Sequence, residues 1–237
     1  MIPAILTGRK GSKGFPGKNL YKVLGFPLAY YPMKAALTCP EIDEVYMSTD
    51  DEYLMSLAYS YNVKVINRPK SLCTESALSS DVFLHAYNVI KKCNSIELVV
   101  LFMCNSPSIT NAMISNGIKL LRERPELDSE VTVSKYNMYN PTRARKINEK
   151  GLLEPYVKFP EYTASTSDRD SVQDAWFADM GVSIVRPACL ENLKEGLPPQ
   201  PWMGRNIYPL IQDAGLDVDY EWQLGQVEYW LQRNHND

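Results

Sequence analysis

Short apolar runs alternating with longer stretches of helical period constrain this chain more than any other feature. Residues 2–6, 44–48, 63–66 and 98–103 read as strands, the last as LVVLFM. Between them, residues 28–37, 51–61, 80–92 and 111–123 carry helical patterns; Val82, Ala86, Val89 and Ile90, for example, share one face. Pro32 suits the first of these helices only in its first turn, and Asp51 or Asp50 is placed to cap the second. Strand–helix alternation of this kind predicts an α/β fold, a mostly parallel sheet with helices on both faces. The rhythm breaks after a further strand at 130–134. From about 136 to 175 the chain is polar and rich in Pro and Tyr, without a steady period. So long a structureless loop is improbable in a compact domain, so Leu153, Tyr156, Val157 and Phe159 are expected to pack in a small lobe, with a second chain as the obvious partner. Strands at 182–185 and 207–210 and a helix at 220–233 complete the reading of a single domain.

The 237 residues are enough to bury a large core, and 45% hydrophobic with 22% charged residues is ordinary for a globular protein. Five cysteines, at 39, 73, 93, 104 and 189, show no CxxC spacing. That argues against a disulfide framework or zinc site and fits a reducing cytoplasm. No run approaches a membrane span and no signal-peptide core is evident. A pI near 5.6 without a broad basic face argues against nucleic acid as a partner.

Against that acidic balance, GRKGSKGFPGKN at residues 8–19 packs four cations and four glycines with no acid. The first acid of the chain is Glu41, so the first 40 residues carry six positive charges and the remainder nine net negative ones. A loop directly after the first strand lies where open α/β sheets bind ligands. Glycines such as Gly8 and Gly11 let backbone N–H groups approach an anion, and lysines add mobile point charges. A polyphosphate is the natural ligand. The loop is not a Walker A motif, because Ser12 stands six residues before Lys18 and Asn19 follows it. Gly11, Gly14 and Gly17 give GxxGxxG rather than the dinucleotide fingerprint. A cationic surface turn is the plainer alternative.

Near the other end stands GLDVDYEW, residues 215–222. In an extended segment Asp217 and Asp219 point to one side, and paired carboxylates with substrate phosphates suit Mg²⁺. Alternatively, Asp219 caps the last helix and Asp217 is solvated. A phosphate loop together with a carboxylate clamp suggests nucleotidyl or glycosyl transfer.

The segment ILTGRKGSKGFPGKNL, residues 5–20, resembles the N-terminal signature of the acylneuraminate cytidylyltransferases, which make CMP-activated sialic acids and related nonulosonates. Arg9, Ser12, Lys13, Gly14, Pro16, Lys18 and Asn19 match that signature, and Gly8 replaces its alanine. Ser48-Thr49-Asp50, Asn67-Arg68-Pro69, the Ser/Thr-rich run at 74–80, Asn105-Ser106-Pro107 and Asp217-Val218-Asp219 match in order. The resemblance implies a Rossmann-like sheet and a homodimer in which an arm at about 136–175 reaches over the neighbour's site. It implies that Arg9 and Lys18 hold the triphosphate of CTP beside Ser12 and Lys13, and that Asn19, Arg68, Ala77 and Ser79 line base and ribose. Asp217 and Asp219 would hold Mg²⁺, and Arg143 and Arg169 would meet an acidic sugar bound in the other subunit. Where relatives carry Gln-Pro-Thr-Ser-Pro-Leu-Arg, this chain has Met103 for the glutamine and Ile109 for the arginine, with Asn105 between; Arg-Pro-Asn-Gly becomes Ala178-Asp179-Met180-Gly181. These changes remove polar groups from the expected sugar side and leave the phosphate and metal parts intact.

The expected reaction is attack of a 2-keto-3-deoxy sugar acid on the α-phosphate of CTP, with loss of pyrophosphate. Alternatives are another nucleotide such as GTP, a DxD glycosyltransferase, and a nucleotide-binding protein without turnover. No general base stands out, since His85 falls within a helix and His235 in the tail. Tyr136, Tyr139, Tyr156 and Tyr162 read as dimer packing.

Overall fold

The structure is a computed structural model that describes residues 1–11, 14–157 and 173–234. Ser12, Lys13, Phe159, Tyr162, Arg169 and His235 lie outside the described residues. Strand β1 (Pro3–Thr7) is buried throughout. On one side it pairs in parallel with β4 (Glu44–Thr49), which pairs with β5 (Lys64–Asn67). On its other side it pairs in parallel with β6 (Val99–Met103). Chain order thus reverses at the β1–β6 boundary, which places a ligand crevice beyond the carboxyl ends of those two strands. The sheet continues through β10 (Trp176–Val185) to β7 (Ser129–Lys135) and β11 (Ile207–Gln212), in the order β11-β7-β10-β6-β1-β4-β5. Only β10 runs against its neighbours among these described strands.

Alternating strand residues feed two cores, as the pleat requires. Ala4 and Leu6 face helices α1 (Tyr30–Leu37), α2 (Glu52–Ser60) and α4 (Asn111–Glu123), packing with Met33, Leu54 and Ile114. Ile5 faces the opposite layer, where α3 (Ser79–Lys91) contributes Phe83, Tyr87 and Ile90. Helix α1 begins at Tyr30 rather than 28, so Pro32 does fall in its first turn. Asp51, not Asp50, caps α2, accepting from the Tyr53 N–H at 2.9 Å. A third cluster joins Val23 of the hairpin β2 (Lys22–Val23) and β3 (Phe26–Pro27) to Leu216, Val218, Val227 and Leu231. It anchors α6 (Leu224–Asn234) against the start of the chain. The last helix does not begin as one piece: a 3-10 turn at Glu221–Gln223 precedes it, because Gln223 folds back in a capping box on Tyr220.

Strand β10 reaches back to Trp176, six residues before the strand expected from the sequence. A bulge hides it from a period-two reading: the register slips between Ala178 and Ser183, and Met180 takes φ of 60°. Before it, the chain leaves the sheet at Asn137 and returns at Ala175. The two points are stitched together by Asn137 bonded to Asp174 and to the Ala175 N–H, at 2.9 and 3.0 Å. The excursion carries a separate hairpin, β8 (Arg145–Ile147) with β9 (Leu153–Pro155). Its Ile147 and Leu153 are 73% and 72% exposed. A short helix, α5 (Pro187–Glu191), follows β10. Among the described residues no helix is long and apolar enough to cross a membrane.

One core group is out of place. Glu130 on β7 is buried against Gly117 of α4, with Oε2 lacking a hydrogen-bond partner. Burial pushes its carboxyl up to about 7. The folded state therefore holds a proton that the unfolded chain releases near its ordinary value, so stability falls as pH rises from about 4.5 to about 7. Glu130→Gln is expected to raise stability at pH 8 by about 2 kcal/mol and to flatten that slope. Urea unfolding at pH 5 and pH 8 checks it; an unchanged slope would overturn the assignment.

Candidate active site

A cavity of about 240 Å³ opens where the topology places it, lined by Thr7, Gly8 and Arg9 at the end of β1 and by Met103 and Asn105 at the end of β6. Gly11, Lys18 and Asn19 of the basic loop, Arg68 after β5, and Ala77 and Ser79 at the start of α3 complete the wall with Asp219. Eleven residues proposed from sequence therefore share one cavity. Leu72, Thr74 and Val82 also line it and carried no sequence signal beyond the Ser/Thr-rich run.

Arg9, Lys18 and Arg68 face a single acid, Asp219, among the lining residues, so the cavity is an anion site. Asp50 braces the loop by accepting from the Lys10 N–H at 2.9 Å. Arg68 is buried; its Nη2 donates to the Ser48 carbonyl at 2.6 Å while its Nε has no partner. Burial lowers the guanidinium's pKa, and Arg9 nearby adds to that. Asn19 Oδ1 is likewise buried without a partner. A buried donor and a buried acceptor left unpaired on two residues of one cavity wall are costly.

Asp217 and Asp219 do alternate with the buried Leu216 and Val218, as an extended segment requires. Their surroundings differ. Asp219 is 59% exposed and pairs with Lys18 Nζ at 2.5 Å, a contact spanning 201 residues of sequence. It does not cap the last helix, because the Asp219 and Tyr220 N–H groups both donate to Gln223 Oε1 at 2.7 Å. Asp217 lines a second cavity of about 360 Å³ with Tyr136, Tyr139, Phe177, Met180 and Trp222. Burial first, then the charge of Asp219, pushes its carboxyl up to about 6, against the pull of Lys18 and Ser106. A buried carboxylate whose ionisation is opposed by a neighbouring one fits a hard cation, and the Lys18 ammonium already serves Asp219 as a countercharge.

Asn105 lines the first cavity, but its side-chain nitrogen donates to Asp217 and to the Val218 carbonyl. Ile109 is fully buried and packs against Gly181, so that position belongs to the core rather than to a sugar-facing wall. Asp179 accepts from Ser134 Oγ and Gln212 Nε2 at 2.6 and 2.8 Å, holding the β10 bulge. Arg143 sits exposed in a 3-10 turn of the excursion and lines neither cavity. His85 is half-buried on α3, with a pKa lowered by burial and Arg68, and is absent from the cavity wall.

Residues 3–153 match the family model described as Cytidylyltransferase. The chain is 30% identical over 136 residues to the N-acylneuraminate cytidylyltransferase of Escherichia coli O18:K1:H7, covering 57% of this chain and 32% of that protein. It is 37% identical over 93 residues to a pseudaminic acid cytidylyltransferase of Campylobacter jejuni, covering 39% and 40%. The chain thus spans about a third to two-fifths of the length of these curated relatives. A solved CMP:2-keto-3-deoxy-manno-octonic acid synthetase complexed with CTP shares the fold, with a TM-score of 0.69, 17% identity and 98% of each chain covered.

Proposed function

This chain belongs to the cytidylyltransferase family, and we propose that it uses CTP to activate a nonulosonic, sialic-acid-like 2-keto-3-deoxy sugar acid, giving the CMP-sugar and pyrophosphate. The observation that carries this reading is the convergence of Lys18 and Asp219, from opposite ends of the chain, in one cationic cavity. Arg9 and Lys18 hold the phosphates, with Gly8 and Gly11 allowing close backbone approach. Asn19, Arg68, Ala77 and Ser79 take the base and ribose. The anomeric oxygen forms a bond to the α-phosphorus, the bond from that phosphorus to the β-phosphate bridge breaks, and the proton goes to water. The protein's part is alignment and neutralisation of the leaving pyrophosphate by Arg9 and Lys18. Mg²⁺ held by Asp217 and Asp219 supplies positive charge to the phosphate oxygens.

The aromatic cavity beside Asp217 is the proposed acceptor side, whereas Met103 lines the nucleotide cavity. No lysine or arginine lines it among the described residues, so the carboxylate of the acceptor calls for a cation from elsewhere. We assign that role to the excursion of a second copy, through Arg143. A two-stranded hairpin with both Ile147 and Leu153 exposed is marginal alone, which supports a homodimer. Five free cysteines support a reducing, cytoplasmic setting.

The test is pyrophosphate release with Mg²⁺, supplying CTP or GTP against a panel of nonulosonic acids. Release with CTP and one acid is expected. Release only with GTP would overturn the base assignment, and bound nucleotide with no release from any acid would overturn the transferase reading.

A further inference from the structure

The two carboxylates of the Asp217–Asp219 pair are held in unlike ways. Asp219 is exposed and, among the described residues, its side chain is bonded only to the flexible Lys18 stem. Asp217 is fixed by the loop between β6 and α4. The Val218 N–H donates to the Asn105 carbonyl at 3.0 Å, and the Leu216 N–H donates to Ser108 Oγ at 3.1 Å. These two bonds lock the backbone on either side of Asp217. Between them, Asn105 Nδ2 donates both to Asp217 Oδ1 and, at 3.0 Å, to the Val218 carbonyl. Ser106 Oγ adds a longer contact of 3.4 Å to the same Oδ1. Both side-chain donors therefore converge on one carboxylate oxygen, and Oδ2 is left without a hydrogen bond among the described residues.

We propose that Asn105 is a positioning residue, which turns the Asp217 carboxylate so that a single oxygen, Oδ2, is presented to the cation. The inference rests on the metal reading above and reassigns a residue that sequence alone places against the sugar. An amide suits the position because one nitrogen can donate twice, to the carboxylate and to the backbone that carries it. A carboxylate so fixed pays its orientational cost during folding rather than on binding, and loss of such an outer partner commonly weakens a metal by 10- to 100-fold.

The experiment measures Mn²⁺ binding by electron paramagnetic resonance in the presence of CTP and without acceptor, for wild type, Asp217→Asn and Asn105→Ala. CTP binding in EDTA is measured alongside as the check on folding and on the nucleotide site. Asn105→Ala is expected to weaken Mn²⁺ about 10- to 100-fold while metal-free CTP affinity stays within about two-fold. Ser106→Ala, a milder change, should weaken Mn²⁺ about two- to three-fold, in keeping with its longer bond, and serves if the first variant fails to fold. Wild-type Mn²⁺ affinity in Asn105→Ala overturns the proposal. Parallel loss of metal-free CTP binding in a folded Asn105→Ala protein also overturns it, by giving Asn105 to the nucleotide. Equal Mn²⁺ binding by wild type and Asp217→Asn overturns the metal reading of Asp217 itself, and this inference with it.

Discussion

Asp219→Asn is expected to move two measurements in opposite directions. With Mg²⁺ present, turnover should fall on the order of 10²- to 10³-fold, the usual cost of removing one charge from a preorganised electrostatic site. In EDTA, CTP should bind about two- to five-fold more tightly, the worth of one largely exposed ion pair. The reason lies in the ion pair, in which Lys18 is only 12% exposed and its ammonium is held by the Asp219 carboxylate. A phosphate entering the cavity without a cation must take Lys18 from Asp219 and then face an uncompensated carboxylate. The amide removes both penalties. On the metal reading, a cation on Asp219 would free Lys18 for the phosphates, and phosphates on Lys18 would free Asp219 for a cation. By linkage each favours the other to the same degree. Near-wild-type turnover would overturn the metal assignment, whereas weaker CTP binding in EDTA would overturn the exchange of partners. Isothermal titration in EDTA and a pyrophosphate assay separate the two.

The features legible in the sequence are those whose physics is local. Residues 2–6 and 98–103 are apolar throughout because a parallel sheet buries both faces, and Asp51 precedes its helix as a cap should. The basic loop was legible because glycines and lysines after a first strand have few other uses. What stayed hidden depends on contacts distant in sequence. Nothing near Lys18 announces its partner at 219, and nothing near Asn105 announces Asp217. Strand β10 escaped because Asp179 recruits Ser134 and Gln212 to a bulge that breaks its alternation. Ile109 shows the converse error. A residue aligned with a sugar-facing arginine is here a core residue under Gly181, so alignment alone misassigns its surroundings.

Three of the four glycines of the basic loop, Gly11, Gly14 and Gly17, are expected to respond differently to alanine, and among them Gly14→Ala should be the damaging change. A methyl at Gly14 would stand 2.5 Å from the Asp219 carbonyl oxygen, against backbone that has no rotamer to yield. Gly11 and Gly17, with φ of 77° and 73°, have open space around them, so alanine there meets only the backbone strain of the left-handed region. That strain costs about 1 kcal/mol of stability and leaves the site's shape intact. At Gly14 the loop and the carboxylate segment must part, and the Lys18–Asp219 alignment parts with them. Misplacement on the order of 1 Å in such a site commonly costs about 10²-fold in rate. Gly14→Ala should therefore lose about 10²-fold in kcat/KM with a melting temperature within a few degrees of wild type. Gly11→Ala should melt measurably lower and lose less than about ten-fold in activity. If Gly14→Ala keeps activity within about three-fold, the close approach of loop to carboxylate is not what aligns the charges, and the cavity must be assembled by the nucleotide itself.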